Sequence, residues 1–140
     1  MIRFGGALAA MVALVGTAPE GATANGEGAT RPMIVKIHAD WCGTCAKLKP
    51  TFEALEREVG NEALIVILDV TDRVTFEKSR EQADRLGIRG FFDANRSKTG
   101  TVAVLDARGQ VVALRRGELD PAWYIEALRN AGAPMASWGS

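Results

Sequence analysis

Apolar residues fall along this chain in two rhythms. Met33-Ile34-Val35-Lys36-Ile37-His38-Ala39 and the stretch from Ala63 to Val70 are nearly continuous apolar runs, the pattern of strands covered on both faces of a parallel or mixed sheet. Between them Leu48, Phe52, Leu55 and Val59 recur at spacings of four, three and four, which traces one face of a helix. Gly60-Asn61 ends that helix. Pro50 sits inside it and predicts a kink, because its ring and missing N–H disrupt the preceding turn. Asp72 caps a second predicted helix that runs to about Leu86, with Glu, Lys and Arg on its outer face. Thr101 to Leu105 and Gln110 to Arg115 read as two short strands joined by the turn Asp106-Ala107-Arg108-Gly109. Asp120-Pro121 opens a last helix carrying Trp123, Ile125 and Leu128, and Gly132 closes it. The order strand, helix, strand, helix, hairpin, helix predicts an α/β domain whose central mixed sheet has at least four strands flanked by helices.

Residues 1–24 depart from this pattern. Met1-Ile2-Arg3 is a short positive start, Phe4 to Gly16 is an apolar run, and Ala22-Thr23-Ala24 has the small residues that precede signal cleavage. The run is shorter than the roughly 20 residues that span a bilayer. An export signal, and hence a periplasmic or secreted protein with no membrane span after cleavage, is the expectation. A cytosolic leader is the alternative, though one this apolar would dissolve poorly. No cysteine follows the run, so a lipid anchor at the cleaved end is not expected. Residues 25–31 read as a flexible lead-in, 32–132 as one domain and 133–140 as a loose tail. The chain holds 17 Lys and Arg against 17 Asp and Glu, and the leader removes one of each sign. That balance argues against nucleic acid or an anionic membrane as the partner.

Trp41-Cys42-Gly43-Thr44-Cys45 contains both cysteines of the chain, where the first strand gives way to the first helix. Cysteines three apart in a first helical turn share one face and can join as a small-loop disulfide. The free N–H groups and positive dipole end there favour a thiolate on Cys42. Thiol–disulfide exchange needs that arrangement: an activated, accessible sulfur and a second beside it to resolve the mixed disulfide. A purely structural disulfide is the alternative and the common use of exported cysteines. A staple gains most from closing a long loop, however, and this one closes a tiny loop.

These features resemble the thioredoxin family over nearly the whole predicted domain. Ala39-Asp40-Trp41-Cys42-Gly43-Thr44-Cys45 matches the family's W-C-G-x-C site with its preceding small and acidic residues. Pro50, five residues past Cys45, matches the helix-kinking proline; Leu86-Gly87-Ile88-Arg89-Gly90 resembles the Y-G-I-R-G segment, and Gly117 a recurrent glycine. The resemblance implies a thioredoxin-like fold, Cys42 as nucleophile, Cys45 as the buried resolving cysteine, and Trp41, Gly43 and Thr44 beside the client.

Three departures from the family pattern stand out. No proline occurs between Pro50 and Pro121, so the cis-proline that usually faces the cysteines is absent. Thr99-Gly100-Thr101 is the expected replacement in substrate binding, with a trans peptide before Gly100. Lys36 stands six residues before Cys42, where thioredoxins commonly bury an aspartate. Its ammonium either escapes to solvent along a packed stem or pairs with Asp69 and tunes the thiols. Phe91 to Lys98 looks like an insertion beside the substrate loop. Phe91 and Phe92 either cover core or form an exposed client surface.

The sequence therefore points to an exported protein-disulfide oxidoreductase, monomeric and without a dissociable cofactor, its redox group being the Cys42–Cys45 disulfide. It would exchange with a client protein bearing a disulfide or thiol pair and with an upstream redox partner. Gly43-Thr44 places no histidine between the cysteines, which leans toward a reductase rather than a strong oxidant. Two other classes stay open. One is a copper-handling, metallochaperone-like protein using Cys42, Cys45 and His38, since thiolates favour copper(I) or zinc; the other is a thioredoxin-fold binding module without turnover.

Overall fold

The computed structural model describes residues 31–133, so the expected export signal, most of the lead-in and nearly all of the expected tail lie outside the described residues. The elements run β1 (Met33–His38), α1 (Gly43–Val59), β2 (Leu64–Asp69), α2 (Arg73–Arg85), α3 (Arg89–Asn95), β3 (Thr101–Leu105), β4 (Val111–Arg116) and α4 (Pro121–Asn130). The four strands form one mixed sheet in the order β2-β1-β3-β4. β1 pairs parallel with β2 and antiparallel with β3, and β3 pairs antiparallel with β4. The central position of β1 explains its unbroken apolar run, because a strand with helices over both faces exposes neither.

Each face of the sheet has its own core. Ile34, Val102 and Val104 pack with Leu48, Phe52, Leu55 and Val59 of α1 and with Tyr124 and Leu128 of α4. The helical stripe read from the sequence is thus the buried face of α1, which continues through Pro50 for its full 17 residues. Tyr124 is fully buried, and its hydroxyl donates to the Glu118 carbonyl at 2.7 Å, so the ring is covered without an orphaned polar atom. Thr51 donates to the Leu119 carbonyl at 2.8 Å, tying α1 to the loop before α4. On the opposite face Met33, Val35, Ile37, Val66, Leu68, Ala103 and Leu105 meet Ala83, Ile88, Phe91 and Phe92.

The segment expected to be an insertion, Phe91 to Lys98, falls for most of its length in helix α3. Asp72 caps α2 at its start through a reciprocal pair of bonds with Thr75. At its end Gly87 takes a φ of 72°, and the Ile88 N–H reaches back to the Ala83 carbonyl at 2.9 Å, closing the helix in a Schellman pattern. Ile88 then packs in the core and α3 begins at the next residue. Arg89 braces the junction, bonding Asp84 at 2.9 Å and Asp93 at 3.0 Å. Phe91 and Phe92 are both buried, with Phe92 5.2 Å from the Phe76 ring of α2. The reading of these two as an exposed client surface is therefore overturned: turning one helical face to the sheet sends both rings inward. Replacing Phe92 with alanine should cost about 3–5 kcal/mol of stability in urea unfolding, whereas a surface phenylalanine would change it by only a few tenths.

Candidate functional site

The chain leaves β1 through a tight turn, in which the Cys42 N–H donates to the Ala39 carbonyl at 3.1 Å. The loop after β2 holds this turn from the side. The Asp40 N–H donates to Thr71 Oγ1 at 2.9 Å, and the Trp41 indole N–H donates to the Thr71 carbonyl at 3.1 Å. Asp69 Oδ1 in turn accepts from the Thr71 N–H and hydroxyl, which fixes Thr71. Trp41 remains 66% exposed with its polar tip anchored, a broad apolar face held at a set angle beside the cysteines.

Cys42 is the N-cap of α1, and its sulfur accepts from the Cys45 N–H at 3.2 Å. This is the sulfur counterpart of an oxygen cap, and it aims the unpaired N–H groups of the first turn at the site of thiolate charge. Burial pushes the Cys42 thiol up. The Cys45 side chain, the Thr99 hydroxyl and the backbone N–H groups of Cys45 and Thr44 outweigh it, so the thiol titrates below its ordinary value. Cys45 lies deeper, at 1% exposure, and its thiol contacts the Ile37 carbonyl at 3.6 Å. Burial, and then the neighbouring Cys42, push Cys45 up. Both cysteines are free thiols.

Opposite them lies Thr99-Gly100, where the sequence predicted it. The described peptide bonds are all trans, that before Gly100 included. The Gly100 N–H donates to the Ile37 carbonyl at 2.8 Å, the same carbonyl that Cys45 contacts, so this loop is hydrogen-bonded to β1 directly beneath the pair. Gly100 has a φ of 85°, and a Cβ there would stand 2.7 Å from Thr44 Cγ2 and 3.8 Å from Cys42 Sγ. A Cβ on Gly117 would also lie 3.0 Å from the Thr44 methyl, and the Gly117 N–H donates to the Gly100 carbonyl at 2.9 Å. Gly43 is open to solvent, and Thr44 is half-buried between those two glycines. Thr101 is buried as the first residue of β3 and is not presented to a substrate.

Sequence reasoning placed Thr99 among substrate contacts but missed its action on the Cys42 sulfur, because nothing in a lone threonine marks which group its hydroxyl meets. It also missed the Thr71–Asp69 support, whose partners are about 30 residues away in the chain.

Two expectations need correction. Lys36 is 5% exposed, so its ammonium does not reach solvent, and its partner on β2 is Ile67, not Asp69. Its Nζ instead points to the Cys45 carbonyl at 3.4 Å and stands 5.2 Å above the Phe52 ring. The parallel register sets this, since it pairs Asp69 with His38. Nor does His38 join the cysteines as a third ligand. Its Nε2 faces Asp40 Oδ1 at 3.1 Å, and among the described residues the group with metal-ligand spacing is His38, Asp40 and Asp69.

Residues 23–103 match the family model described as thioredoxin. A chloroplastic thioredoxin-like protein, HCF164, of Oryza sativa subsp. japonica is 30% identical over 129 residues, which is 84% of this chain and 45% of that protein. A protein disulfide-isomerase of Datisca glomerata is 28% identical over 105 residues, 75% of this chain and 19% of that protein. The chain thus spans less than half the length of either relative. A thiol:disulfide interchange protein of the thioredoxin family from Chlorobium tepidum shares the fold, with a TM-score of 0.52 at 19% identity, covering 79% of this chain and 83% of that one.

Gly100→Ala should destabilise the protein by about 1–3 kcal/mol through backbone strain and the clash with Thr44. Adding Thr44→Ala should recover part of that loss in urea unfolding. The order of the two thiols predicts that alkylation of Cys42 is half-maximal below the ordinary thiol range of about 8.5, because the reactive thiolate persists until pH falls through a lowered pKa. Cys45 should titrate above Cys42, as read by thiolate absorbance in the reduced protein.

Proposed function

The chain belongs to the thioredoxin family, and from that premise we propose that it is a thiol–disulfide oxidoreductase acting through Cys42 and Cys45. The observation that carries this is the split between the two thiols: Cys42, 7% exposed at the N-cap of α1, is lowered, while Cys45, 1% exposed one turn further in, is raised. In the reducing direction the Cys42 thiolate attacks a client disulfide, forming a mixed disulfide and releasing one client thiolate. Cys45 loses its proton, attacks Cys42, and expels the second client sulfur. The client gains two electrons and two protons, and the protein is left with the Cys42–Cys45 disulfide. A raised thiol on Cys45 suits this order, since it stays protonated until the mixed disulfide has formed. The exposed face of Trp41 offers the client an apolar rest, the exposed Gly43 lies beside it, and Thr99 and Gly100 back the Cys42 sulfur from the buried side. The exchange needs no dissociable cofactor, only a redox partner protein to restore the dithiol.

Export to the periplasm or beyond belongs to the same proposal. Its support is the apolar leader and cleavage-like Ala22-Thr23-Ala24. Among the described residues no helix is long and apolar enough to cross a membrane. The absence of a histidine between the cysteines supports a reductase. On that reading the midpoint potential should lie nearer thioredoxin, about −270 mV, than the oxidant DsbA, about −120 mV.

Insulin reduction driven by dithiothreitol tests the activity: it should proceed with the wild-type protein and fall to the uncatalysed rate in Cys42→Ser. In the producing cell, Cys45→Ser should accumulate a mixed disulfide that identifies the client. Wild-type protein no faster than the uncatalysed control would leave a binding module as the better reading.

A further inference from the structure

Lys36 is a buried cation on the central strand, and among the described residues no carboxylate lies in ion-pair range of it. The neighbouring strands and α1 present these groups to it, with the Tyr124 ring of α4 behind Phe52. On β2 its neighbour is Ile67, and Asp69, further along, is bonded to Thr71. On β3 it pairs with Val102, and on β1 the next residue on its face, His38, is turned to Asp40. α1 supplies the Cys45 carbonyl, the Phe52 ring and the two thiols. The titratable groups that act on the ammonium are thus Cys45 and Cys42.

A lone charge in such a place is costly, and it persists where an opposite charge offsets it or is avoided by releasing the proton. In the reduced protein the thiolate supplies the offset. In the disulfide form there is none. We propose that Lys36 is a redox-linked proton carrier, whose ammonium is the counter-ion of the reduced pair and gives up its proton when the pair becomes a disulfide. This rests on the exchange reaction proposed above and completes its proton count. The reduced site holds a Cys42 thiolate, a Cys45 thiol and a Lys36 ammonium. The two electrons go to the client disulfide, and the two protons its thiols gain come from Cys45 and Lys36, leaving a neutral disulfide and a neutral amine. The site has no net charge before or after. Burial pushes Lys36 down from its ordinary value while the thiols pull it up, which is the balance such a switch requires.

The test is to follow the Lys36 Cε resonance against pH in the dithiothreitol-reduced and the oxidised wild-type protein, assigning the signal by its loss in Lys36→Arg. Proton affinity should be about tenfold or more weaker in the oxidised form, and by linkage the same factor must appear in the equilibrium with glutathione. Between the two lysine midpoints, wild-type oxidation should therefore steepen by up to about tenfold per pH unit relative to Lys36→Arg, which keeps its charge in both states. A lysine that titrates at the same pH in both redox forms, or stays charged throughout in both, overturns the proposal. If Lys36→Arg fails to fold, the resonance is assigned by selective lysine labelling and the wild-type titration decides alone. Disulfide exchange by a protein whose lysine is insensitive to redox state would remove only this inference. Absence of exchange would remove the functional reading beneath it.

Discussion

The contact on which the site depends is the bond from the Cys45 N–H to the Cys42 sulfur at the start of α1. A helix must satisfy its first N–H groups from outside itself, and here a cysteine does it where serine or aspartate usually would. The helix and the Cys42 sulfur therefore stabilise one another. Negative charge on sulfur strengthens the cap, and the cap favours that charge. The same turn sets the second sulfur one turn along, on the inner face of the helix, where burial acts on it in the opposite sense.

The rest of the fold keeps that turn in place. The core of α1 against Ile34, Val102 and Val104 fixes the helix axis, and the Thr71 contacts fix the approach to it. Strand β1 contributes twice, since the Ile37 carbonyl takes both the Gly100 N–H and the Cys45 thiol. With Lys36 beneath, the polar groups around the pair come, among the described residues, from backbone, the Thr99 hydroxyl and the Lys36 ammonium. Carboxylates near the cysteines, Asp40 and Asp69, are engaged with His38 and Thr71 instead.

Much of this was legible from the sequence. Strands buried on both faces and a four-three-four stripe leave strong periodic signals, and the cysteine spacing with Pro50 marked both helix and site. What was missed shares one property, dependence on register or on distant partners. Phe91-Phe92 follows a glycine in a helix of 7 residues, too short to show a period. Lys36 could be matched to Asp69 from polarity alone, and only the parallel pairing, which sets Lys36 beside Ile67, decides against it. Thr99 became a thiol partner because α3 returns the chain to the cysteines, a path that no local pattern encodes.

The two glycines against the Thr44 methyl carry a consequence for how such a site can change over evolutionary time. Gly100 and Gly117 come from separate loops, linked by their own hydrogen bond, and together they limit the space available to side chain 44. The spacer between the two cysteines is therefore not an independent dial. A bulkier residue at 44 would have to displace both loops at once, and a side chain at 100 or 117 would demand a smaller one at 44. Positions 44, 100 and 117 form one steric unit, and lineages that alter this turn should be found to have changed them together.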